Sequence, residues 1–328
     1  MRGWTLALAT LLGLALAQPP REFALRFEQA WWLVRERYYD PQFKGVDWER
    51  VGQAYRQRLP QARSWEELYR LLDEMYAELG DAHSRVLNPQ EARRYLGQVA
   101  CLPLPFKEEE LAPPPTSPTA PLPAPHPKEP SPPPPSYGSS EVRVVNGVVV
   151  VRLGNLVDRS GIELLRTAVR HHEGQARGYI LDLRGNPGGL VLHMAEAAGV
   201  FMRGVPWRLV SRGLGALPLP TIPFLGPPNT QKPLVVLIDS QTHSAAEGLA
   251  GALKGAGRAY LVGTRSAGNT EALTPYCFPD GGVALVASGV LAPLSGPTWE
   301  SRGVEPDWAE PNPQRQLEVA LQHLLGPR

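Results

Sequence analysis

The stretch SQTHSAAEGLAGAL, residues 240–253, sets Ser244 between a polar turn and a run of small, helix-compatible residues. The apolar run PLVVLID comes just before it, so the order reads strand, turn, helix, with Ser244 at the first helical turn. Free backbone amides and the positive end of the helix dipole gather at such a point and stabilise a developing negative charge. A serine there suits acyl transfer as the attacking hydroxyl. It equally suits an ordinary N-cap, with Glu247 three residues on completing a capping box. A second segment, LDLRGNPGGL, runs from a buried-type strand, Tyr179 to Leu183, through Gly185, Gly188 and Gly189 toward a helix. Glycines let backbone amides come close to a reacting carbonyl, as an oxyanion hole requires. A phosphate loop would need a lysine and a hydroxyl residue after the glycines, and neither is there.

A serine nucleophile needs a base, and imidazole, with an ordinary pKa of about 6.5, can take the hydroxyl proton and return it to a leaving amine. Of the seven histidines, His83 in ELGDAHSRVLNP follows the end of a helical pattern and is the first candidate, with a structural turn histidine as the other reading. His193, on the helix after Gly189, is the second choice. His243 adjoins Ser244, and neighbouring side chains diverge, so it reads as a wall of the cleft. His126 sits among prolines, and His171, His172 and His323 fall on helical surfaces.

The elements that must hold these residues are legible around them. Phe23, Phe27, Trp31 and Val34 recur at helical spacing, DWERVGQAYRQRL starts a second helix at Asp47, and SWEELYRLLDEMYAEL opens with Ser64 and Glu67 in capping-box order. Between Leu111 and Ser140 thirteen residues are proline, which predicts an extended linker. Beyond it a hairpin around Asn146-Gly147 leads into alternating apolar runs and helical patterns, the mark of an α/β domain with a largely parallel sheet. The divisions expected are a signal segment over 1–17, a helical lobe over 18–100, a linker over 101–140 and a core over 141–328.

Composition narrows the function. The formal net charge of +1 gives no bulk field for nucleic acid or a membrane surface. The start MRGWTLALATLLGLALA has a basic residue, a short apolar run and an Ala-Leu-Ala site, so it predicts export, a mature chain from near Gln18 with no membrane span, and a periplasmic or secreted location. Cys101 and Cys277 are compatible with a bridge or with two buried thiols, and they lack metal-ligand spacing. No metal or organic cofactor is expected.

Taken together, LDLRGNPGG, SAAE at 244–247 and GRAYLVGTRSAG at 257–268 resemble, in order and spacing, the motifs of the carboxyl-terminal processing (tail-specific) serine peptidases. The resemblance implies an α/β fold: a ClpP/crotonase-like core with an N-terminal helical lobe. One branch of that family activates its serine with a lysine just after the glycine-framed loop, where this chain has Asn269; Lys254 reads as a surface lysine. The tricorn-like branch uses serine, histidine and glutamate. ELGDAHS is similar to its histidine turn, and WESRGVEPD to the segment that supplies its glutamate, so the resemblance implies Ser244 as nucleophile, His83 as base and Glu300 as the carboxylate on His83. It also implies an oxyanion hole built from the amide of Ala245 and one from Gly188 or Gly189. Asp182 and Arg184 read as structural.

The family's PDZ domain, which captures substrate C-termini, has no room in the interval 102–140. The expected function is therefore exported endopeptidase action on protein or peptide substrates, with the proline-rich stretch as a tether or a docking segment for a partner. A binding protein on the same scaffold, similar to the interphotoreceptor retinoid-binding proteins that carry lipophilic ligands, is the alternative, and a weakly catalytic regulator working through the proline-rich stretch is a further one.

Overall fold

The computed structural model describes residues 19–81, 83–96, 100–106, 111 and 138–326; the expected signal segment and most of the proline-rich stretch lie outside them. The chain opens with helices α1 (Arg21–Arg37), α2 (Trp48–Arg58) and α3 (Trp65–Ala77), then a short strand β1 (Arg85–Leu87) and helix α4 (Pro89–Leu96). The caps read from sequence form: Asp47 accepts from Arg50 N–H and Ser64 from Glu67 N–H. Phe27, Trp31 and Val34 are fully buried on the predicted face of α1. The indoles of Trp31 and Trp48 each donate to the other's backbone carbonyl at 3.1 Å. Gly52 permits that crossing, since a Cβ there would stand 2.2 Å from the Trp31 ring nitrogen.

From residue 141 come the hairpin β2 (Glu141–Val145) and β3 (Val148–Arg152), α5 (Arg159–His172), β4 (Gly178–Asp182) and α6 (Val191–Phe201). A second hairpin follows, β5 (Trp207–Ser211) and β6 (Gly215–Leu219), and then β7 (Leu234–Ile238), α7 (Ala245–Gly255) and β8 (Tyr260–Gly263). The last elements are β9 (Glu271–Cys277), β10 (Val283–Pro293), β11 (Trp308–Ala309) and α8 (Pro313–Leu325).

Two sheets result. The first runs β11-β8-β7-β4-β3-β2, parallel throughout except for the β2–β3 hairpin, as the alternating pattern predicts. Its central strands are buried along their whole length, with α5, α6 and α7 over one face and α8 over the other. The second sheet is antiparallel: β10 pairs with β1 and β5 along one edge and with β9 along the other. Alternating runs do not announce it, because two of its pairings, β1–β10 and β5–β10, join segments far apart in sequence. The N-terminal helices pack on this second sheet, so Trp31, Trp48 and Tyr76 share a core with Tyr276, Phe278 and Val286. That shared core draws His83, two residues before β1, toward the strands.

Cys101 and Cys277 are joined as a disulfide. Beside it Leu102 N–H donates to Pro275 C=O and Cys277 N–H to Leu102 C=O, both at 2.8 Å, which fastens the start of the linker to β9.

Candidate active site

Strand β7 delivers the chain to Ser244, whose backbone lies at φ 53, ψ −123, on the left-handed side where a non-glycine residue is strained. Glu247 secures the turn. Its carboxylate is fully buried and accepts from Ser244 N–H at 3.0 Å, Asn269 N–H at 2.9 Å, Gly268 N–H at 2.6 Å and the Ser266 hydroxyl at 2.6 Å. Ser244 N–H is shared with the carbonyl of Asn269 at 2.9 Å. The residue read as half of a capping box thus ties the serine turn to the glycine-framed loop, and Asn269 takes part through its backbone.

The glycine turn after β4 meets this corner from the other side. A Cβ on Gly188 would stand 2.8 Å from Ser244 Cβ and 3.0 Å from Ala245 N, and Gly188 has φ +89, so only glycine fits against the serine there. Of the two glycine amides expected as alternatives to join Ala245 in an oxyanion hole, that of Gly188 is already given to Asn186 Oδ1 at 2.8 Å. The Gly189 and Ala245 N–H groups have no acceptor among the described residues, and both residues line the cleft in front of Ser244. Asn186 itself is fully buried, bonded through Nδ2 to Leu153 C=O and through its own carbonyl to His243 N–H. Arg184 grips Asp182 through two bonds of 2.8 and 2.6 Å and reaches Pro313 C=O, a structural clamp as expected.

His83 lines the same cleft, which has a volume of about 360 Å³. Asp81 shapes its turn by accepting from His83 N–H at 2.9 Å and Ser84 N–H at 2.5 Å. The Nδ1 of His83 lies 2.8 Å from Oε2 of Glu271, at the start of β9. This corrects the expected pairing: the carboxylate that meets His83 is Glu271, and no hydrogen bond joins Glu300 to His83 among the described residues. The physical reason is local. Trp299 packs on Gly251 of α7, and Glu300 Oε2 is drawn to Thr270 N–H at 2.7 Å, one residue before Glu271. Glu271 carried no motif in the sequence; its only signal was a lone acid opening an alternating strand just after the glycine-framed loop.

The two carboxyls are shifted in opposite directions. His83 and Lys44 outweigh the burial of Glu271 and hold its carboxyl below the usual range. Burial, with the charge of Glu271 added, pushes Glu300 up despite the Thr270 bond.

The remaining histidines find other places. His193 is buried with Nδ1 3.0 Å from Leu156 C=O, behind the glycine turn and outside the cleft lining, so the second-choice base braces the loop at Leu156 that bridges to Gly189. The imidazole of His243 is pushed down by burial, and the residue is not among those that line the cleft. Lys254 bonds Glu305 C=O and Asp307 at the far end of α7. Among the described residues no group of His, Cys, Asp and Glu has the arrangement to hold a metal ion. His83 and Ser244 face one cleft without a hydrogen bond between them in the described structure.

A strained serine at a strand-to-helix turn, two unengaged amides and a histidine on a carboxylate define the class of serine hydrolases built on a parallel-sheet core. The sequence profile described as "Peptidase family S41" matches residues 148–309, and that of the "Tricorn protease C1 domain" matches residues 19–77. A "Carboxyl-terminal-processing protease" of Picosynechococcus sp. is 26% identical over 95% of this chain and 90% of its own length. Among solved structures, a lipoprotein from Streptococcus agalactiae shares the fold with a TM-score of 0.66 at 17% identity, covering 92% of this chain and 96% of its own. The photosystem II D1 C-terminal processing protease does so with a TM-score of 0.62 at 19% identity, covering 89% and 94%. The chain belongs to peptidase family S41 and is a serine-type peptidase of the carboxyl-terminal processing kind.

Proposed function

We propose that this chain is an exported serine endopeptidase in which Ser244 is the acylating nucleophile, His83 its general base and then acid, and Glu271 the carboxylate that orients His83. One observation carries the reading: His83, bonded to Glu271, faces the same cleft as Ser244 and the unengaged amides of Gly189 and Ala245. With its Nδ1 proton directed at Glu271, His83 keeps the Nε2 lone pair for the serine hydroxyl. Ser244 Oγ adds to the peptide carbonyl as His83 takes its proton, and the oxyanion settles on the two amides. Collapse of the adduct breaks the C–N bond, with the proton passing from His83 to the leaving amine. Water, deprotonated by the same imidazole, then releases the acid and frees Ser244. Glu271 stays ionised and stabilises the imidazolium through both halves.

The cleft supports a substrate class. Tyr95, Leu190, Leu273, Leu285 and Leu291 line it, and apart from the Tyr95 phenol its only acidic or basic side chains among the described residues are His83 and Glu271. An apolar substrate side chain beside the scissile bond fits this wall. We assign endopeptidase action, since the interval 102–140 is too short for a domain that would hold substrate C-termini. Export rests on the sequence of residues 1–17, and the N-terminus of the protein recovered from expressing cells tests it: a start near Gln18 supports export and an intact Met1 opposes it. Among the described residues no helix is long and apolar enough to cross a membrane.

The reading is tested with a fluorophosphonate probe, which requires an activated serine and no known substrate. Wild type should label, and Ser244→Ala should not. A folded wild type that stays unlabelled, or equal labelling of both, overturns it.

A further inference from the structure

We propose that Lys44 is a positioning residue of the catalytic site: its ammonium, brought in by the N-terminal helices, holds Glu271 and Glu300 side by side and keeps Glu271 charged against His83. The inference rests on the assignment of Ser244, His83 and Glu271 above. Lys44 Nζ lies 3.2 Å from Glu271 Oε1 and 3.6 Å from Glu300 Oε1, so one cation bridges two carboxylates. Those carboxylates are nearly withdrawn from water, at 1% and 10% side-chain exposure, which strengthens both their mutual repulsion and the attraction to the ammonium.

The turn is built to present this side chain. Phe43 and Lys44 both have positive φ, 51 and 55, a strained choice for two consecutive non-glycine residues. Asp40 secures them by accepting from Gln42 N–H at 2.9 Å and Lys44 N–H at 2.8 Å. The Phe43 ring stacks between Tyr38 and Trp48, and Tyr39 N–H donates to Ala287 C=O on β10 at 2.9 Å. Helix α1 and strand β10 thus fix the start of the turn and Trp48 of α2 packs at its end, and the ammonium meets Oε1 of Glu271 while His83 meets Oε2.

The charges around it show what the lysine offsets. From the N-terminal helices and the turn before β1, Tyr38, Tyr39, Asp40, Asp81 and His83 face this region, and from β9 and the loop before β11, Glu271 and Glu300. Asp81, Glu271 and Glu300 act together on Lys44, the one lysine or arginine ion-paired to Glu271 and Glu300 among the described residues. Two carboxylates so close share a proton readily unless a cation opposes it. A proton on Glu271 would remove the charge that stabilises imidazolium in the transition state. With Lys44 in place the pair ionises at lower pH, and the carboxyl that holds a proton longer is Glu300, which does not touch His83.

The experiment is the second-order rate of fluorophosphonate labelling at Ser244 as a function of pH, on the full chain as wild type, Lys44→Met, Lys44→Arg and the double variant Lys44→Met with Glu300→Gln. Lys44→Met should lose about 10-fold or more near neutral pH, part of the 10²–10⁴ that general acid–base catalysis supplies, with the acid limb moved to higher pH. Lys44→Arg should restore most of the rate, and the double variant should recover it by removing one of the two repelling charges. A role confined to holding the helices would lower the melting temperature without moving the acid limb or giving rescue by Glu300→Gln. Should Lys44→Met fail to fold, Lys44→Gln carries the same comparison. A Lys44→Met profile superimposable on wild type, or no recovery in the double variant, overturns the role of Lys44 alone. A wild type that does not label at Ser244 overturns the catalytic assignment beneath it.

Discussion

His83 Nδ1 and Glu271 Oε2 lie 2.8 Å apart although 188 residues of sequence separate them. The N-terminal helices carry the one and the first residue of β9 carries the other, so the contact exists only when the antiparallel sheet is assembled. With His83 as the proposed base, the fold as a whole orients it, and damage to either sheet edge should register at the serine.

The glycine turn gives a steric prediction. Gly188→Ala puts a methyl group 2.8 Å from Ser244 Cβ at φ +89, where space and backbone both oppose it. Fluorophosphonate labelling should fall by about 100-fold or more, comparable with loss of an oxyanion donor. Labelling within a few-fold of wild type would mean that the turn does not meet Ser244 as described.

Glu247→Gln replaces an acceptor of four bonds with a group that can keep only those on its oxygen. Donors are left facing a donor in a dry site, so the protein should lose about 3 kcal/mol or more of stability, read by chemical denaturation, and its labelling should collapse. A variant as stable and as reactive as wild type would remove Glu247 as the anchor of the serine turn.

Reducing the Cys101–Cys277 bridge, or replacing Cys101 with serine, frees the segment at Leu102 from β9. The expected cost is about 2–5 kcal/mol. Because β9 also holds Glu271 and three further residues of the cleft wall, Ala272, Leu273 and Pro275, the labelling rate should fall as well. An unchanged melting temperature under reductant contradicts this.

Stability against pH separates the two glutamates. Glu300 is pushed up, so ionising it works against the folded state once pH rises above the ordinary carboxylate range. Glu300→Gln should therefore gain on wild type as pH climbs through that range toward neutrality, then hold level. Glu271 is held down, so its contribution is present above the ordinary range and fades as pH falls through its lowered value. Glu271→Gln should lose most against wild type near neutrality and least in acid. Parallel melting curves for wild type and both variants would contradict the assignment.

Much of this was legible in the residues. The buried runs of β4, β7 and β8 and the small-residue helix α7 follow from local pattern, and they set Ser244, Gly189 and Ala245 where the sequence suggested. The carboxylate on His83 was not legible. Two acids, Glu271 and Glu300, end near Thr270, and only the antiparallel sheet built on β10 decides which one faces His83. That sheet's β9–β10 hairpin is local, but β1 and β5 join β10 through pairings that no short window contains. His193 misled for a similar reason: it lies close to the glycine turn in sequence, but helix α6 turns it behind Leu156.

The most direct measurement compares fluorophosphonate labelling of Ser244 in Glu271→Gln and Glu300→Gln at neutral pH. With Glu271 as the partner of His83, Glu271→Gln should slow labelling by about 10³–10⁴-fold, the scale of losing a triad carboxylate, while Glu300→Gln stays within about 10-fold of wild type. The reverse order would put Glu300 on His83 during catalysis and contradict the pairing from which the account is built.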